Sequence, residues 1–101
     1  MKTVNDWRSD IDRIDSAILR LLSRRTQIAI ELGKLKRTSG SPISSPEREH
    51  LVLARVIEQN SGPLNVHSIQ QIFRLIIRET RRAEQNATAA EPLMFEGGFS
   101  D

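Results

Sequence analysis

The chain has 101 residues, 38% hydrophobic and 28% charged, which sizes it for one domain with a modest core. It has no cysteine and two isolated histidines, His50 and His67, so neither a disulfide framework nor a thiolate or histidine metal site is expected. Net charge is +2 but unevenly spread: residues 1–90 hold 15 bases against 10 acids, whereas residues 91–101 carry only Glu91, Glu96 and Asp101. A basic body suits an anionic partner, and an aromatic content of 4% disfavours a stacking platform for single-stranded nucleic acid. The first apolar residues are interrupted by Asp6, Arg8, Asp10 and Asp12, and no apolar run approaches a membrane span. A soluble, cytoplasmic protein without a membrane partner is therefore expected.

Residues 4–36 carry Trp7, Ile11, Ile14, Ile18, Leu21, Arg25, Ile28, Leu32 and Leu35 at spacings of four and three. This heptad seam predicts one long amphipathic helix, capped by Thr3 or Asn5 and ended by the stretch from Arg37 to Pro42. Ser45-Pro46-Glu47 predicts a second helix start: a capping hydroxyl, a proline at the first helical position and an acid in the first turn. That helix runs through Leu51, Val52, Val56 and Ile57 to Asn60-Ser61-Gly62-Pro63. Asn65 caps a third helix, which turns Ile69, Ile72, Phe73, Ile76, Ile77, Thr80 and Ala83 inward and carries Arg74, Arg78, Arg81 and Arg82 mostly on other faces. Residues 1–87 read as the domain. Residues 88–101 read as a disordered tail, with Leu93-Met94-Phe95 and Phe99 in a loose terminus.

A helix of about 33 residues is about 50 Å long, whereas a compact chain of this size has a radius of gyration near 13 Å. The first helix must overhang the other two and leave apolar surface for a partner, for which pairing with a second copy is the simplest solution.

Arg25 occupies a seam position whose equivalents are apolar. Read alone, it also fits a stem that packs while the guanidinium snorkels outward. Lys36, eleven residues on, returns to within roughly 20° of Arg25 on the helix. Thr80 and Glu84 continue the inward stripe of the third helix, though those two alone also fit a frayed helix end. Four inward polar groups in a bundle are expensive unless something anionic satisfies them.

Four segments in this order resemble the all-helical class of chorismate mutases: W-R-S-D-I-D-R-I-D, L-L-S-R-R-T-Q-I-A-I-E-L-G-K-L-K, S-P-E-R-E and I-F-R-L-I-I-R-E-T, together spanning residues 7–85. The resemblance implies an all-α fold of three-helix protomers, intertwined as a homodimer with shared active sites. It also implies rearrangement of chorismate to prephenate, the branch step toward phenylalanine and tyrosine, with no cofactor and no metal. By the same resemblance, Arg25 pairs with one substrate carboxylate and Arg8 of a second chain with the other. Lys36 bonds the ether oxygen and a carboxylate, Arg48 balances charge, and Glu49 contacts the ring hydroxyl. Thr80 and Glu84 fall where the family has Ser or Thr and Gln or Glu. Arg8 and Arg25 lie seventeen residues apart on one helix, roughly 25 Å, which a small dicarboxylate cannot span, so both can serve one site only from two chains.

Two positions depart from the family pattern. Ser45 stands where Asp is common, and both cap a helix. Glu84 stands at the ether-oxygen position and must be protonated to donate a hydrogen bond there. Three other readings remain open on the sequence. They are an isochorismate-pyruvate lyase on the same fold, a catalytically weak regulatory relative, and a DNA-binding helical dimer with the arginines of the third helix in the major groove. Against the last, Glu79 and Glu84 interrupt the basic residues, so no nucleic-acid partner is expected.

Overall fold

The computed structural model describes residues 1–40 and 45–100, with side chains through Thr88. It is all-α, with three helices and, among the described residues, no strand: α1 (Val4–Ser39), α2 (Pro46–Gln59) and α3 (Val66–Ser100). The tail expected over 88–101 lies, Thr88 apart, outside the residues whose side chains are described. Ser41 and Pro42, expected to help end α1, also lie outside the described residues.

Local chemistry sets each helix boundary. Thr3 caps α1 through a reciprocal box: its hydroxyl accepts the Asp6 N–H at 3.1 Å, and the Asp6 carboxylate accepts the Thr3 N–H at 2.9 Å. The Thr3 backbone N–H, chiefly, and then the Thr3 side chain hold the Asp6 carboxyl below its ordinary value. The other end of α1, at Ser39, falls within the stretch from Arg37 to Pro42 expected to end it. The Thr38 and Ser39 hydroxyls bond back to the carbonyls of Lys34 and Lys36, and Gly40 closes the helix in the left-handed region at φ 78°. Ser45 caps α2 by accepting the Arg48 N–H, with Pro46 at the first helical position. The Asn65 side chain accepts the Ser68 N–H at 2.8 Å at the head of α3.

Packing is organised by α3, against which both α1 and α2 rest. Contacts between α1 and α3 advance in the same direction along both helices, from Arg25 on Thr80 to Arg37 on Thr88. On α1 the covered face holds Leu22, Arg25, Ala29, Gly33 and Lys36, with Gly33 buried. Gly33 packs beside Glu84: a Cβ built there would meet Glu84 Oε2 at 3.7 Å, an ordinary contact. On α3 the inward line is Ile69, Phe73, Ile76, Ile77, Thr80 and Ala83. Ile72, expected on that line, is 43% exposed.

The protomer leaves most of its apolar surface uncovered. The apolar residues of the expected α1 seam are exposed along the helix, from Trp7 at 57% through Leu21 at 68% to Leu35 at 68%, while Arg25 of the same seam turns to α3. The chain's radius of gyration is 18.2 Å and its extents are 62 × 35 × 16 Å. The accessible surface of the protomer is 8237 Å². No helix among the described residues is long and apolar enough to cross a membrane.

Candidate active site

The three helices leave a groove of about 220 Å³ between them. From α1 it is lined by Arg25, Ile28, Ala29, Leu32 and Lys36. Ser45 and α2 contribute Arg48, Glu49 and Val52, and α3 contributes Ile77, Thr80, Arg81 and Glu84. Its lining combines apolar side chains with charge of both signs, cations in excess: Arg25, Lys36, Arg48 and Arg81 against Glu49 and Glu84. Such a groove favours a small ligand with apolar body and more than one anionic group.

Arg25 is held in place by the third helix. Its Nη1 donates to Thr80 Oγ1 at 2.9 Å, and Thr80 is only 7% exposed. The guanidinium therefore turns across the groove instead of running out to solvent, which removes the snorkelling alternative. One of five donors is used in that bond, and the planar fork retains others for a carboxylate. Thr80 sits in a continuous stretch of α3, so helix fraying does not account for it.

Glu84 lies one turn beyond Thr80 on the same face. Burial raises its carboxyl above the ordinary value, against the opposing pull of Lys36, Arg81 and Arg25. Its backbone is anchored as well: the Thr88 hydroxyl donates to the Glu84 carbonyl at 2.9 Å, and Arg37 Nη1 donates to Thr88 Oγ1. The turn carrying Glu84 is thereby tied to the end of α1.

Ser45 has two roles at the groove edge. Its hydroxyl accepts the Arg48 N–H at 3.3 Å and donates to Glu47 Oε2 at 2.7 Å. The latter bond is the main cause of the lowered Glu47 carboxyl. Capping orients Arg48 and Glu49, the next residues of α2 that line the groove.

Of the residues singled out in the sequence, Arg25, Lys36, Ser45, Arg48, Glu49, Thr80 and Glu84 meet in this one groove. Arg8 does not. It is exposed in the second turn of α1, roughly 25 Å along the helix from Arg25. The sequence pattern puts Arg81 on another face of α3, yet it lines the groove, with its Nη2 3.0 Å from Glu49 Oε1. A signal for it exists in the sequence, since Arg81 follows Ile77 by four and precedes Glu84 by three. Arg74, Arg78 and Arg82 are exposed, with Arg82 3.2 Å from Glu79, and Arg81 alone of the four arginines of α3 lines the groove. Among the described residues no group of acids and histidines is arranged to hold a metal ion.

A family profile described as chorismate mutase type II matches residues 7–85. The chain is 42% identical over 83 residues to the bifunctional chorismate mutase/prephenate dehydratase of Neisseria gonorrhoeae, a match covering 82% of this chain. It is 33% identical over 81 residues to the T-protein of Haemophilus influenzae, covering 79% of this chain. Each match takes in 22% of the relative, so the chain spans about a fifth of the length of these proteins. Among solved structures, chorismate mutase (form II) from Thermus thermophilus superimposes with a TM-score of 0.80 and 32% identity, over 83% of this chain and 96% of that one.

Proposed function

The chain belongs to the type II chorismate mutase family, and we propose that it rearranges chorismate to prephenate in a groove completed by a second copy of itself. One observation carries the reading. Arg25, Lys36 and Arg48 converge on a single groove from two helices, among apolar side chains and beside Thr80 and Glu84. That is a constellation for a small dicarboxylate with an apolar ring.

The reaction is pericyclic: a carbon–oxygen bond breaks as a carbon–carbon bond forms, without a covalent or proton-transfer step. It needs no metal or organic cofactor. The protein has two tasks, to hold the flexible dicarboxylate in its compact conformer and to place donors where negative charge builds on the ether oxygen. Arg25, fixed by Thr80, takes one carboxylate in its planar fork. Lys36 supplies a point charge to the ether oxygen and a carboxylate, and Arg48 balances the remaining charge. Glu49 accepts from the ring hydroxyl. Glu84, when protonated, donates to the ether oxygen; ionised, it has no proton to donate and opposes the developing charge.

Arg8 of a second copy takes the other carboxylate. Support for the second copy comes from helix length and exposed apolar surface. The apolar residues of the α1 seam stay exposed along the helix in one protomer, and an apolar stripe of that length calls for a partner. Two protomers pairing their long helices in opposite senses bring Arg8 of each toward Arg25 of the other. The reading is tested by adding chorismate to the pure protein and following its loss and the appearance of prephenate. Prephenate formation without added cofactor is the expected result, and an inert protein, or one that releases pyruvate from isochorismate alone, refutes it.

A further inference from the structure

Arg81 and Glu49 form the ion pair that joins α3 to α2 across the groove, with Arg81 Nη2 3.0 Å from Glu49 Oε1. Their side chains are 34% and 39% exposed, so the pair is too wet to add much stability. Its consequence is geometric. Glu49 stands in the first turns of α2 beside Arg48, in a groove where cations outnumber acids. Without Arg81, its carboxylate has several cations to turn toward. Arg81 attracts one of the two carboxylate oxygens from the α3 side, at ion-pair distance. Glu49 itself lines the groove, so its carboxylate is within reach of a ligand bound there.

We propose that Arg81 is a positioning residue, whose guanidinium holds one oxygen of Glu49 so that the carboxylate's other acceptor sites meet a hydroxyl on the bound dicarboxylate. This rests on the mutase reading for the identity of the ligand. It adds a residue that acts through Glu49 and confers preference for a hydroxylated ring over one lacking the hydroxyl. Arg rather than Lys suits the task, because its fork sets direction as well as charge.

The test is calorimetric binding of two unreactive bicyclic dicarboxylates that mimic the compact conformer, one bearing the ring hydroxyl and one with hydrogen in its place. Wild type should bind the hydroxylated ligand more tightly. Arg81→Met should weaken that ligand about tenfold and the deoxy ligand by no more than about twofold. Arg81→Lys should recover part of the loss, and Arg82→Met, on the outer face of α3, should change neither. Glu49→Gln should reproduce the selective loss, and adding Arg81→Met to it should weaken the hydroxylated ligand no further. Equal weakening of both ligands, or of neither, overturns the proposal, as does a wild type that does not distinguish them. Circular dichroism confirms that each variant is folded; if Arg81→Met is not, Arg81→Lys and Glu49→Gln carry the comparison. Chorismate turnover is measured alongside. A wild type that shows the binding pattern but no turnover refutes the mutase reading and leaves the role of Arg81 standing.

Discussion

Replacing Glu84 by Gln should convert a pH-dependent enzyme into one that is nearly indifferent to pH. In the proposed chemistry only the protonated carboxyl helps, because a hydrogen bond to the ether oxygen requires a proton on the side chain. Burial of Glu84 raises its carboxyl above the ordinary 4.5, and Lys36, Arg81 and Arg25 limit the rise. The sign follows directly: below the raised pKa the group is neutral and the enzyme is at its fastest. Above it, the protonated fraction falls about tenfold per pH unit, and kcat/KM falls with it until a floor is reached where the cations act alone. A lost donor at a developing oxyanion costs about 10²- to 10³-fold, which bounds the depth of that fall. Glu84→Gln donates at every pH, so its profile should be flat, crossing above wild type on the alkaline side. The assay is initial-rate loss of chorismate from mildly acidic to alkaline pH, at constant ionic strength. A wild-type profile as flat as that of the variant would refute the reasoning, and so would a Gln variant that keeps the wild-type fall.

Two further outcomes follow from the same structure. Ser45→Ala removes the hydroxyl that caps α2 and should destabilise the protein by about 1 kcal/mol, a fall of several degrees in melting temperature, whereas Ser45→Asp should melt near wild type. Leu21→Asp puts a charge on the open seam of α1 and should raise the dimer dissociation constant by about a hundredfold or more, with loss of helicity at low concentration. Light scattering and circular dichroism check the latter. A seam charge that left the oligomeric state unchanged would place the interface elsewhere.

Much of the fold is legible in the sequence because its determinants are local. Thr3, Ser45-Pro46 and Asn65 mark helix starts by chemistry that acts within one turn, and each marks a start in the structure. Helical period alone places Arg25 and Lys36 together, and spacings of three and four do the same for Thr80 and Glu84. Arg81 has the same spacing signal, four after Ile77 and three before Glu84, but a charge next to Arg82, Arg78 and Glu79 reads as part of a solvated face. Only the position of α2 turns it inward, and that depends on a tertiary contact with Glu49. Ile72 departs from expectation for a related reason. Its period fits the inward stripe, but neither α1 nor α2 covers it in one protomer. The pairing of Arg8 with a distant Arg25 is legible only as an impossibility within one chain, because helix length rules out a shared ligand there without locating the second copy.

The most direct measurement of the shared groove is complementation between two disabled variants, Arg8→Ala and Arg25→Ala, each expected to be nearly inactive alone. When the two are unfolded together and refolded, half of the dimers are mixed, and each mixed dimer holds one groove with both arginines intact. Chorismate turnover should then return to about a quarter of the wild-type value, the fraction of intact sites expected for random pairing in a two-fold dimer. A mixture no more active than the two variants measured separately would contradict the two-chain site.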